Sequence, residues 1–150
     1  MNSIESLNND ISRFIADNKI ASICCVDSNN TPWSFHCFYV FDAKNQLLFF
    51  KSSTRSHHAE LLSKNPAVSG SILPHKLEFM ALKGIQFTGS VLNTAIPDQI
   101  DPELFYHKRL PLGLTKPGKV YSIQLETIKM TDSSRIFGGK SEWNRYAFIK

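Results

Sequence analysis

The chain of 150 residues carries 17 Lys+Arg against 13 Asp+Glu, a net charge of +4, with 42% hydrophobic and 20% charged residues. This is an ordinary globular balance, so one compact domain spanning residues 1–150 is expected, and disordered or collagen-like classes are excluded. No stretch approaches the about 20 apolar residues of a membrane span, because Asp27, Asn29, Asn30 and Pro32 break up the most hydrophobic region.

Glu5 and Asp10 precede the first base, Arg13, which is not the charged start of a signal peptide. Cys24 and Cys25 are neighbours and Cys37 makes the count odd, so reduced thiols and a cytoplasmic location are expected. Residues 107–150 hold 9 bases and 3 acids, while residues 1–106 hold 8 and 10. The bases of the last third are spread rather than clustered, so nucleic acid is not the expected partner, and the phosphate of a small anionic ligand explains a few of them as well.

Ile4, Leu7, Ile11, Phe14 and Ile15 recur at helical spacing, with Asn2 or Ser3 as N-cap, which predicts an opening amphipathic helix. Strands follow at 19–27, 33–41 and 46–51, separated by the turn-forming clusters Asp27–Pro32 and Asp42–Asn45. The hydroxyl-rich segment Ser52–Ser56 then leads into a short helix over 57–63, stopped by Asn65-Pro66. Residues 67–73 and 79–93 read as two further strands, with Gly84 and Gly89 as bulge or kink positions. Asp101-Pro102-Glu103 starts another short helix ending at Lys108-Arg109. Residues 120–130 alternate as a last long strand, leaving 131–150 as a Gly-containing tail with Trp143. Six strands joined by hairpins, with three short helices, predict a small, mainly β, antiparallel barrel.

The strand–hydroxyl loop–helix at 46–63 is the leading ligand candidate. A helix N-terminus offers free N–H groups and a positive dipole end, and Arg55, His57 and His58 add charge, so a phosphate suits it. The plain alternative is helix capping by Ser53 or Thr54. The five histidines (His36, His57, His58, His75, His107) show no metal-ligand spacing. The three cysteines fall in strands expected to be buried, where thiols act as small hydrophobes. No Gly-x-Ser-x-Gly, dinucleotide-binding or Walker-type glycine pattern is present.

Taken together, Trp33–Asp42, Leu48-Phe49-Phe50, Ser56–Leu61, Asn65–Val68, Gly84–Gly89, Ile128–Asp132 and Phe137–Lys140 resemble the pyridoxamine 5′-phosphate oxidase-like, FMN-binding split-barrel family, and within it the YhbP-like branch. The resemblance implies a six-stranded split barrel, a homodimer with FMN clefts at the subunit interface, and an oxidoreductase of unknown substrate. Carried over by position, His36, Cys37 and Phe38 would lie along the flavin, and Lys51 and Ser52 at its ribityl–phosphate end. Arg55, Ser56, His57 and His58 fall at the phosphate, Gln86 at the flavin, and Trp143 would close the site. His57 and His58 stand where the oxidases commonly carry Arg and Lys. The resemblance assigns no acid or base, and a non-enzymatic flavin- or heme-binding module on the same fold is the alternative.

Overall fold

The computed structural model describes residues 7–76, 78–134 and 139–147. Helix α1 (Asn9–Asp17) begins where the Asn8 side chain accepts from the Asp10 N–H, and it turns Ile11, Phe14 and Ile15 inward. The expected caps Asn2 and Ser3 lie outside the described residues; Asn8 caps this helix because its amide oxygen reaches the second helical N–H. The Tyr39 hydroxyl donates to Ile15 O at 2.6 Å and so fastens α1 to the sheet.

Strands β1 (Ile20–Val26), β2 (Pro32–Asp42) and β3 (Leu47–Ser52) form an antiparallel meander. Asp27 accepts from the N–H groups of Asn29 and Thr31 in the first turn, and Asp42 from those of Lys44 and Asn45 in the second. These Asx contacts offer the backbone a turn in place of a longer ladder. Helix α2 (His57–Lys64) carries the chain to β4 (Ala67–Ile72), which pairs with β1 and with β5 (Lys83–Val91). Strand β6 (Lys119–Asp132) pairs with β5 on one side and β3 on the other. That last pairing closes a six-stranded antiparallel barrel in the order β3-β2-β1-β4-β5-β6.

Alternation along the strands fills the barrel. Ala21, Ile23 and Cys25 of β1, Ile85 and Phe87 of β5, and Ile123, Leu125 and Ile128 of β6 point into one core with α1. Strand β3 departs from alternation because both of its faces are covered. Leu48 and Phe50 face the barrel, whereas Leu47 and Phe49 meet Tyr106 and Val120 under helix α3 (Pro102–Arg109). Burying each of these side chains stabilises by about 1.5–3 kcal/mol, so the run Leu47–Phe50 pins α3 beside β3. After α3 the chain makes a 3-10 turn at Pro111–Thr115 before entering β6.

Four expectations need correction. The 79–93 segment is a strand only over Lys83–Val91; Phe79 and Met80 are exposed and lie in the preceding loop. The irregularity falls at Thr88/Gly89, while Gly84 pairs in register with Thr131. A Cβ on Gly89 would lie 2.5 Å from Gln124 O, which is why the bulge needs glycine there. The tail contains a seventh strand, β7 (Gly139–Asn144), antiparallel to β6; its pattern was hidden by Gly139 and by charges on its exposed face. Phe137 and Gly138 lie outside the described residues. Finally, Cys25 is buried and Cys37 is half-buried against the core, whereas Cys24 is half-buried beside an open groove rather than within the core.

Candidate functional site

A cleft of about 530 Å³ opens between β2, the end of β3 and the α3–Pro111 segment. Its wall is apolar and aromatic, formed by Ile20, Phe35, Phe38, Tyr106, Leu110 and Leu112. Its polar end is Lys51, Ser52 and His58, with Lys116 also on the lining. Among the described residues no carboxylate lines it.

Local geometry explains the polar end. Lys51 and Ser52 finish β3, and Ser56 caps α2 through an Oγ that accepts from the Ala59 N–H. The caps expected at Ser53 or Thr54 are therefore replaced by Ser56, whose extended backbone sets its oxygen over the third helical N–H. One residue into the helix, His58 reaches back to Ser52, with Nε2 2.6 Å from Oγ. Its ring stacks on Phe35 with centroids 3.8 Å apart and planes 7° from parallel. Burial, then the neighbouring His57, hold its pKa below the usual imidazole value, so at neutral pH it is an uncharged partner. His57 points elsewhere: it is exposed and meets the Trp33 ring edge-on at 4.9 Å.

Lys51 is the anchored cation at this end. Its Nζ lies 2.9 Å from His107 Nε2 and donates to Gly113 O at 3.0 Å. Burial pushes the Cys37 thiol up to about 12, so it is a protonated, inert part of the wall. His36 stands exposed on the same lining.

The structure thus divides the residues singled out from the sequence. His36, Cys37, Phe38, Lys51, Ser52 and His58 line the one cleft. Gln86 and Trp143 line a separate, open groove of about 820 Å³ across β1, β4, β5, β6 and β7. Arg55, Ser56 and His57 line neither. Trp143 is buried, with the Arg145 guanidinium 5.4 Å from its ring.

The groove is floored by hydroxyls, among them Ser22, Ser34, Ser69, Ser71, Thr88 and Thr127, and Lys129 and Glu142 are its charged lining residues. Ser22 and Ser34 of the groove share the outer faces of β1 and β2 with Ile20, His36 and Phe38 of the cleft. Sequence reading missed the α3 side of the cleft, namely Tyr106, Leu110, Leu112, Gly113 and Lys116. The available signal was the uninterrupted apolar run of β3, which demands a cover on its outer face. Among the described residues no cluster of His, Cys, Asp or Glu is placed to hold a metal ion, and no helix is long and apolar enough to cross a membrane.

A closed six-stranded antiparallel barrel with a helix-flanked cleft is the pyridoxamine 5′-phosphate oxidase-like split barrel, and solved structures of low sequence identity share it. A pyridoxamine 5′-phosphate oxidase-related, FMN-binding protein from Nostoc punctiforme superposes with a TM-score of 0.66 at 12% identity, over 97% of this chain and 95% of its own. A heme-binding protein from Mycobacterium smegmatis gives 0.74 at 10% identity, over 91% of this chain and 57% of its own. An FAD-binding protein from Mesorhizobium loti gives 0.64 at 18%, over 83% and 94%. No protein-family model matches the chain. Full-length relatives do: a UPF0306 protein of Photorhabdus laumondii is 30% identical over 135 residues, 90% of this chain and 94% of the relative. One from Serratia proteamaculans is 28% identical over the same length, 93% of its own. The chain belongs to the UPF0306 family.

Proposed function

We propose that this protein is an FMN-binding flavoprotein and an oxidoreductase whose chemistry the flavin carries. The observation behind this reading is the cleft, which joins an aromatic and aliphatic wall to a Lys51–Ser52–His58 end, with no carboxylate among its described lining residues. Its volume falls within the roughly 300–1,000 Å³ of small-molecule sites. This donor set fits a planar apolar ring attached to a phosphate: Phe35, Phe38 and Tyr106 would border the ring, and Lys51 and Ser52 would hold the anion. The bound flavin would supply hydride transfer, and the protein position and electrostatics. Cys37 is held protonated and His58 neutral, which supports a site that orients a cofactor rather than supplying its own acid or base.

The division of Gln86 and Trp143 from the cleft supports a homodimer. A second copy seated on the shared outer face would bring its hydroxyl-lined groove toward the first copy's cleft, completing each site with residues from both chains. Three free thiols suit a reducing compartment, the cytoplasm.

Heme is the second reading, because His36 and His58 line the same cleft as Lys51, offering imidazole for iron and a cation for a propionate. The visible spectrum of the protein after incubation with FMN, or with heme, and gel filtration separates the two. A retained flavin band is the expected result. A Soret band alone would favour heme, and a colourless protein after both would overturn cofactor binding.

A further inference from the structure

Lys51 is held from behind by His107 of α3, a side chain that the flavin reading leaves unused. An ammonium group has only donors, so the 2.9 Å contact requires His107 to present the lone pair of Nε2 and to carry its proton on Nδ1. That Nδ1 faces Oε2 of Glu103, one helical turn earlier, at 3.6 Å. The other oxygen of Glu103 accepts from the Val120 N–H at 2.9 Å, where β6 begins. The imidazole is only 13% exposed, and Gly113 O takes a second donor of Lys51 at 3.0 Å. The chain Val120–Glu103–His107–Lys51 therefore runs from the barrel through α3 to the cleft wall.

We propose that His107, oriented by Glu103, is a positioning residue that fixes Lys51 as the cation of a phosphomonoester subsite in the cleft. This rests on the reading of that cleft as the cofactor site, and it names the group that bears the anion's charge. Among the other bases near the cleft, His36 and Lys116 share the lining from exposed positions, and the rest are otherwise placed or uncharged. His58 is kept neutral by burial, His57 lies against Trp33, and Arg55 is exposed away from the lining. Arg109 covers the Phe105 ring at 3.6 Å and donates to Phe105 O. Lys51, by contrast, has two of its three donors already anchored, so its long side chain loses little further freedom when an anion takes the third.

The test compares FMN with riboflavin, which lacks the phosphate, by flavin fluorescence titration of the wild type and of Lys51→Met, His107→Leu, His107→Gln and the Lys51→Met/His107→Leu double variant. Losing a charge-assisted contact corresponds to about tenfold or more in affinity. Lys51→Met and His107→Leu should each weaken FMN to that extent and leave riboflavin within about twofold. The double variant should be no weaker than Lys51→Met alone. His107→Gln, whose Oε1 accepts where Nε2 did, should recover most of the affinity, a rescue that loss of packing would not give.

Wild-type FMN affinity in His107→Leu, or losses that multiply in the double variant, would overturn the proposal. If His107→Leu does not fold, Glu103→Gln provides the same comparison through the imidazole tautomer. A wild type that takes neither flavin overturns the cofactor reading, and the subsite is then tested with inorganic phosphate alone by following the His107 ring nitrogens by NMR. A phosphate-dependent shift that vanishes in Lys51→Met upholds the subsite, and no shift sinks it.

Discussion

Ser52 Oγ and His58 Nε2 lie 2.6 Å apart and join the last residue of β3 to the first turn of α2. The contact closes the hydroxyl loop between them and places an imidazole flat against Phe35 at the polar end of the cleft.

The pair predicts a pH dependence of stability. Burial lowers the folded-state pKa of His58, whereas an unfolded imidazole titrates near 6.5. Between the two values the unfolded chain binds more protons, so stability contributed by neutral His58 is present above the unfolded value and is lost as pH falls toward the folded one. Urea midpoints at pH 7.5 and 5.5 should show a drop that shrinks in His58→Gln. An identical drop in that variant would assign the effect to other groups.

A second prediction concerns the tail. The Arg145 guanidinium donates to Leu125 O at 2.6 Å, to Asn45 O at 3.0 Å and to Gln46 O at 3.2 Å, clamping the end of β7 to β6 and to the β2–β3 turn. Hydrogen bonds from charged groups contribute about 1.5–3 kcal/mol, and of the three carbonyls Gln46 O also keeps the Leu125 N–H. Arg145→Ala should lower stability by about 2–3 kcal/mol, or roughly 5–10 °C in Tm for a chain of this length. Arg145→Lys should recover part of this, since one ammonium cannot match the fork of the guanidinium.

At the bulge, Gly89→Ala should cost about 1–3 kcal/mol, the usual range for overpacking. The new Cβ would meet backbone, Gln124 O at 2.5 Å, as well as Ile123 Cγ2 at 2.9 Å. Gly84→Ala is the matched control, because its nearest contact is a flexible Leu73 methyl at 3.4 Å. Equal denaturant midpoints for the two variants would show that the β5–β6 register shifts to absorb the methyl.

What could be read from the chain follows from how local each feature is. The turns at Asp27 and Asp42, the Asp101-Pro102 cap and the alternation of β6 each depend on residues a few positions apart, and the structure has them where the pattern places them. The polar end of the cleft was legible for the same reason, since His36, Lys51, Ser52 and His58 come from the consecutive elements β2, β3 and α2. The opposite wall was not. Tyr106, Leu110 and Gly113 reach the cleft because Phe49 draws α3 onto β3 and β6 closes the barrel beside it, contacts between residues more than fifty positions apart. His107 read only as one of five histidines without metal-ligand spacing, and its contact with Lys51 exists only once that closure is made. Strand β7 was missed because its short pattern is completed by Trp143 and by pairing with β6.

The proposed dimer makes the last prediction. Thr88 is exposed on the groove and shares a 2.6 Å hydroxyl contact with Thr127 of the neighbouring strand. Its side chain points away from the barrel core, so Thr88→Arg should leave the fold within about 0.5 kcal/mol, as is usual for surface changes. A desolvated guanidinium without a partner, however, costs an interface several kcal/mol. Light scattering at micromolar concentration should find the wild type at twice the chain mass and the variant at one, with unchanged circular dichroism. If Gln86 and Trp143 of one chain complete the cleft of the other, FMN retention should fall together with the dimer. A monomeric variant that keeps its flavin would place the whole site within one chain, with Lys51, Ser52 and His58 sufficient to hold it. A variant that stays dimeric would move the interface off the groove.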